Sequence, residues 1–375
     1  MFESVKRVTC LLCVASLAVG LVLLPGCAPA EGGESADADS DSETDTDTDT
    51  DVDTDTDADS DSDSDSDADG GPSGDGGVVE MDCSTCPSVG ASLQNMACAF
   101  DICDEAVIIQ QDYSTPHVFT GCTLEDTYEA VEHFGSTTNG LEPLLNDTYA
   151  LVASGPATGI SHTTSCHDYS VTMQDEWTTE TFNIYDVVEW RMVLTAPEVA
   201  KAIRFKYVFF SEEYDDFIST SFNDKFYVIL EAGSTNDGNA TVINFTDCRE
   251  PNSYWDFVCG PGDTACDEGE KYCYIAINSA FSDCCWYNSC PDGYSWDVGT
   301  DISGTGYECS GSTMDGPTYG SSTGWLQTSW PIDGGETFSI TFHIHDTSDG
   351  IYDSQLILDS FEFLKDPDQG TVPIE

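Results

Sequence analysis

Three short stretches of this sequence place oxygen-bearing side chains where cation chemistry could happen. They are Ser-Glu-Glu-Tyr-Asp-Asp from Ser211, the pair Asn223-Asp224, and the segment from Asp346 to Asp353 that also holds Asp349. Carboxylate and carbonyl oxygens suit hard divalent ions, and calcium takes about six to eight of them. If the fold brings the stretches together, Glu212, Glu213, Asp224, Asp346, Asp349 and Asp353 are the expected ligands and Ca2+ the expected cofactor. The competing reading needs no metal: the same acids cap backbone amides in turns, or accept hydrogen bonds from Tyr214 and Tyr352. His343 and His345 share one side of a strand, a spacing that can chelate zinc when a third ligand is near. That side reads as the polar, exposed one, where histidines are ordinary. His162 and His167 flank Cys166, with nothing to bring them to the same strand. The chain has no G-x-S-x-G, no H-E-x-x-H and no phosphate-cradling glycine loop, so no catalytic residue is assigned and a non-enzymatic role is expected. A glycosidase pair among so many carboxylates stays open, but none stands out.

The elements that must carry these residues read as strands. Phe338, Ile340, Phe342 and Ile344 alternate with Ser339, Thr341, His343 and His345, the pattern of a strand with one buried face. Asp346 continues the apolar parity, and a carboxylate there is costly to bury unless hydrogen-bonded, neutralised or bound to a metal. Further strands are expected over Val107–Gln111, Tyr149–Ser154, Val187–Leu194, Ala202–Phe210, Phe226–Glu231, Tyr272–Ile277 and Gln355–Phe363, with the first running over Thr337–His345. Helix is expected only near Ser88–Asp101, with a helical turn near Thr127–His133. Long loops and no alternating helices predict a mainly β protein, an antiparallel two-sheet β-sandwich of jelly-roll-like form. Trp255, Trp286, Trp296, Trp325 and Trp330 could stack on sugars if exposed, although sandwich tryptophans usually sit in the core.

Met1–Gly26 has a short basic start, an apolar run and Leu-Leu-Pro-Gly before Cys27, which reads as a secretion signal. Leu24-Pro25-Gly26-Cys27 resembles a lipobox, making Cys27 the expected lipidation site, and Ala28 after it fits outer-membrane sorting. The segment Cys27–Glu80 is dominated by Asp alternating with Ser, Thr or Ala, cannot form a core, and reads as a disordered, extended stalk. Asp65, Asp67, Asp69 and Gly70 resemble the start of an EF-hand loop, but Gly76 stands where the bidentate Glu belongs. Setting Cys10, Cys13 and Cys27 aside from the 17 cysteines leaves 14 in an exported segment, so disulfides are expected. Six form one group (Cys83, Cys86, Cys98, Cys103, Cys122, Cys166) and eight another (Cys248, Cys259, Cys266, Cys273, Cys284, Cys285, Cys290, Cys309), the second within a stapled insertion over Asp247–Ser312. Pairing is not fixed by sequence. The Cys83-x-x-Cys86 spacing also admits a zinc or redox reading, which lacks a second matching pair. The formal net charge of −60 makes nucleic acid an implausible partner and divalent cations a natural one.

Three motifs in order carry a family resemblance: FGSTTNGLEPLLNDTYALVASGPAT, IRFKYVFFSEEYDDFISTSFNDKFYVIL and GWLQTSWPIDGGETFSITFHIHDTSDGIYDSQLILDSFEF. Over roughly Ala91 to Leu364 the chain resembles the choice-of-anchor L domain, a bacterial surface domain whose members are fixed to the envelope by different sorting signals. The resemblance implies an exported, mainly β domain over Met81–Glu375 and implies no activity or ligand. The Cys-rich insertion departs from it. The expectation is a lipoprotein held in the outer membrane by Cys27, displaying a calcium-stabilised binding or adhesion module at the cell surface with a glycan or cell-surface partner. The alternatives are a carbohydrate-active hydrolase with paired carboxylates and a purely structural envelope protein.

Overall fold

The computed structural model describes residues 77–81, 83, 89–104, 106–116, 118–119, 121–135, 140–157, 173–178, 182–213, 220–247, 272–277, 304–307 and 320–374. The leader, Cys27 and the acidic segment up to Gly76 lie outside them. So do His162, His167, Tyr214, Trp255, Trp286 and Trp296, together with Cys86, Cys166, Cys248, Cys259, Cys266, Cys284, Cys285, Cys290 and Cys309.

The described chain is mainly β, as the alternation predicts. Its strands are β1 (Val78–Val79), β2 (Ile108–Ser114), β3 (Tyr128–Val131), β4 (Tyr149–Ala153), β5 (Met173–Gln174), β6 (Asn183–Thr195), β7 (Ala202–Ser211) and β8 (Lys225–Glu231), followed by β9 (Thr241–Val242), β10 (Phe245–Asp247), β11 (Tyr272–Ala276), β12 (Ser321–Ser322), β13 (Leu326–Pro331), β14 (Thr337–Thr347), β15 (Ser354–Leu364) and β16 (Gly370–Pro373). One antiparallel sheet runs β16-β13-β7-β15-β4-β3, with β1 on β15 and β12 on β7. The other runs β10-β11-β8-β14-β6-β2, with β5 on β6 and β9 on β8. Long β-branched and aromatic runs fill the centre of each sheet, where both neighbours satisfy the backbone.

The inner faces meet in one apolar core. Phe342 of β14 lies at its centre, with ring centroids 5.2 Å from Phe100, 5.7 Å from Trp190, 5.6 Å from Phe205 and 6.4 Å from Phe226. The single helix among the described residues, α1 (Leu93–Ala99), buries Met96, Ala97 and Ala99 and delivers Phe100 to that cluster. It is shorter than the expected Ser88–Asp101. Ser92 caps it by accepting from the Asn95 amide at 3.1 Å, and Gly90, at φ 126°, is already bridged to Ala130. The helical turn expected near Thr127–His133 is instead β3, because pairing with β4 overrides local preference; the 3-10 turn lies just before it, at Leu124–Thr127.

Three further expectations need correction. β14 is buried on both faces: Ser339, Thr341, His343 and His345 are 5, 9, 6 and 0% exposed. The outer face of its sheet carries a second apolar cluster, Tyr227, Ile229, Val242 and Tyr274 with Trp177 against it, which closes over the polar parity. The β structure begins at Val78, inside the segment read as stalk, because Val78 and Val79 pair with Leu364 and Phe363. The region Asp247–Ser312 is not wholly outside the sheets, since β11 pairs with β8 at Ile275 and Phe226.

Cys83 is bonded to Cys103, which removes the zinc or redox reading of Cys83-x-x-Cys86; Cys98, Cys122 and Cys273 are disulfide-bonded as well.

Candidate metal centre

Strand register by itself brings the predicted acids to one end of the sandwich. In the first sheet Ser354 of β15 pairs with Ser211 of β7, so the next residues outward, Asp353 and Glu212, face each other. In the second sheet His345 of β14 pairs with Lys225 of β8, so Asp346 and Asp224 are opposed in the same way. Across β14 on its other side Asp346 pairs with Tyr185, after a register irregularity, and the adjacent Asp186 sits at φ 47°. Glu212, Glu213, Asp224, Asp346, Asp353 and Asp186 are each no more than 2% exposed, whereas Asp349, in the β14–β15 loop, is half-buried.

Hydrogen bonds stitch the two sheets at this point. Asp224 accepts from the Thr347 amide at 3.1 Å and from the Ser354 hydroxyl at 2.8 Å, so one carboxylate joins β14 of one sheet to β15 of the other. Thr347 and Ser348 donate their hydroxyls to the carbonyls of Asn223 and Ser221. Asp346 differs: neither of its oxygens has a hydrogen-bond partner, and Oε2 of Glu213 has none either. The Ser154 hydroxyl near Asp346 accepts from the Ser354 amide at 2.9 Å, lies 3.4 Å from the Ser354 carbonyl, and partly offsets the burial of Asp346. Two glycines make room for the acids. A Cβ on Gly155 would stand 1.9 Å from Oδ2 of Asp353, and one on Gly350 would stand 2.2 Å from Oδ2 of Asp186.

Burial and mutual repulsion act together here. Burial, then Asp353, pushes Glu212 up to about 9. Burial, then Asp224 and Asp349, holds Glu213 well above the carboxylate range. Burial raises Asp224 to about 7 against the hydrogen bonds from Ser354 and Thr347. Asp346 is pushed well up by burial and by Asp224, Asp186 and Asp353, and Asp349 is raised by burial. Lys225, fully buried, eases Glu213, but its ammonium lies 3.7 Å from Asp175 on the outer face of the sheet. Such a group of acids cannot all ionise in a dry pole without cations. The donor set, all hard oxygens, suits calcium or magnesium. Among the described residues, however, no three of these acids bring oxygens within 4.8 Å of one another. They share a pole without converging on one point.

Sequence reading missed two members. Asp186 looks like an ordinary polar residue in a strand, and its positive φ is invisible in the sequence. Tyr307, 1% exposed, feels the charges of Glu212, Asp353, Asp346 and Asp224 from a segment with no local signal of its own.

Two other polar clusters stand apart. On the outer face of the second sheet His343 donates through Nδ1 to Glu189 at 2.9 Å, and its Nε2 lies 2.9 Å from Nδ1 of His345. Nε2 of His345 lies 3.7 Å from Asp175, which accepts from the Tyr227 hydroxyl. This is a hydrogen-bonded chain, not a metal chelate, and Glu189 is held below the ordinary carboxylate range by His343. A pocket of 290 Å3 opens onto it, walled by Trp177, Met173, Glu176 and Thr115. Elsewhere Asp101 accepts from Asn146 and from the Ser360 amide, and the neighbouring Asp359 accepts from the Leu144 amide and the Ser360 hydroxyl. Burial and Asp359 raise Asp101 to about 8. These acids have donors and form a structural pair. Trp325 is buried and Trp330 packs on the core with its ring N–H on Thr235, so neither is a sugar platform.

No curated protein and no solved structure matches the chain. One family model does, described as the Choice-of-anchor L domain, over residues 187–363. That interval starts in β6 and ends in β15, and so spans every acid of the pole except Asp186, which lies one residue before it. Over residues 187–363 the chain is similar to the Choice-of-anchor L domain, a match that points to a cell-surface or exported protein with a fold of two antiparallel sheets.

Proposed function

We propose that this protein is an outer-membrane lipoprotein, tethered through Cys27, that displays its sandwich outward as a binding or adhesion module whose carboxylate pole is closed by calcium. The observation that carries the calcium reading is Asp346, 1% exposed, with neither oxygen hydrogen-bonded, among acids from both sheets. A buried carboxylate without donors is unstable as an anion unless a cation serves it. Calcium here has a structural role first: it would lock β7–β15 to β8–β14 and stabilise the native state by mass action. Melting of the full mature chain in calcium and in EDTA tests this. A rise of several degrees with calcium is expected, and identical curves would remove the calcium part of the reading. Surface display is tested separately by protease added to whole cells, where a protected domain would overturn it.

The hydrolase reading has one observation in its favour, the Glu189–His343 pair at the pocket of 290 Å3. Release of reducing ends from envelope or host glycans, lost in Glu189→Gln, would favour it. Retention of unaltered glycan favours the binding module, and neither result favours a structural coat.

A further inference from the structure

We propose that Lys225 and Asp175 are joined by an isopeptide bond, a covalent tie from the start of β8 to the segment that follows β5. The inference is independent of the calcium reading.

The two residues meet in a dry, aromatic setting. Lys225 is fully buried, and its Nζ lies 3.7 Å from Oδ2 of Asp175, whose side chain is 3% exposed. Tyr227, Tyr274 and Trp177 belong to the cluster on the same outer face. A buried pair of ions is costly to keep as ions, and forming an amide removes both charges. The carboxylate is also held as an acyl acceptor would be. Its Oδ1 accepts from the Trp177 amide at 2.9 Å, a donor placed for the charge of a tetrahedral intermediate. Its Oδ2, the oxygen that must leave, accepts from the Tyr227 hydroxyl at 2.5 Å. Proton transfer has a group of its own. His343 donates through Nδ1 to Glu189, so its Nε2 accepts from Nδ1 of His345 at 2.9 Å. That tautomer leaves Nε2 of His345 as a base, fully buried, without a hydrogen bond and 3.7 Å from Asp175. Burial, then His343 and Lys225, hold this imidazole well below its ordinary range and keep it neutral.

The bond then forms in balanced steps. Nζ gives one proton through His345 to Oδ2, which makes the pair a neutral amine and a carboxylic acid. Nζ attacks Cγ, a second proton moves from the nitrogen to Oδ2, and the Cγ–Oδ2 bond breaks to release water. Ammonium and carboxylate become one amide and one water, with no oxidant or cofactor. The position suits a tie, since β5 pairs with β6 only through Met173 and Gln174, and β8 lies on the other side of β14.

Peptide mapping of the full mature chain tests the bond. Phe222 and Phe226 flank Lys225, and Tyr169 and Trp177 flank Asp175, so chymotrypsin releases each in a short peptide. After reduction and alkylation, one branched peptide carrying both residues and lighter than their sum by one water is expected. Linear peptides alone, at full mass, mean an ordinary buried ion pair and overturn the proposal. Lys225→Met should yield only the linear Asp175 peptide, and a branched peptide surviving there overturns the assignment. His345→Gln, which cannot relay a proton, should lower the bonded fraction about tenfold or more, and undiminished bonding would overturn the relay. The wild-type map decides the bond whether or not the variants fold.

Discussion

Asp346 is where the chemistry of this chain is most concentrated. In the absence of metal its carboxylate is eased only by the nearby Ser154 hydroxyl and repels three other acids. Replacing it with Asn should therefore have opposite effects in two buffers. In EDTA the variant is expected to melt higher than wild type, by about 2–5 °C, because an acid that burial and its neighbours keep from ionising is replaced by a neutral amide. In calcium it should melt lower, because the stabilising ion has lost a carboxylate ligand. Calorimetry in both buffers checks the crossing, and a shift of the same sign in each would contradict it. The Asp101–Asp359 pair makes a second prediction at this scale. A carboxyl whose folded-state value of about 8 exceeds its unfolded value near 4 binds an extra proton in the native state between those limits. Stability should then fall as pH rises from about 4 towards 8, by up to about 1.4 kcal/mol per pH unit. Asp101→Asn should flatten that slope in urea denaturation at pH 5, 6, 7 and 8.

At the scale of elements, the central strands were readable and their second faces were not. Alternation in Phe338 to Ile344 located β14 and its inner face, but Ser339, Thr341, His343 and His345 looked like a solvated face. They are covered because Trp177 and the Tyr227–Tyr274 cluster fold over them from distant parts of the chain, a fact of tertiary packing. The acids of the pole were legible as types and spacings; that Glu212 meets Asp353 while Asp224 meets Asp346 follows only from register. Two predictions belong here. Phe342→Ala, which empties the middle of a four-ring cluster, should cost about 3–5 kcal/mol in urea denaturation with or without calcium. Gly155→Ala should instead act through the pole, since its methyl would strike Asp353. It should weaken calcium binding at least tenfold by titration calorimetry, whereas an unchanged affinity would show that Asp353 is not needed there.

For the whole molecule, the two sheets are joined by apolar contact through their middle and by polar contact at one end. The core requires no ion, so calcium at the pole would tune stability and the order of the loops around Asp349 rather than decide whether the chain folds. The proposed anchor acts at the other extreme of the sequence. Cys27→Ser should move the protein from the membrane fraction to the soluble one on cell fractionation, without changing the melting of the sandwich.

The sequence by itself determined the β class, the apolar parity that makes the core and the three acidic stretches, because periodicity and composition are local properties. Only the tertiary structure decided which acids face one another, that Asp186 and Tyr307 join them, that both faces of β14 are buried, and that Asp346 is left without a donor. Those outcomes depend on pairings between residues more than a hundred positions apart, as between Ser211 and Ser354, and no local pattern encodes them.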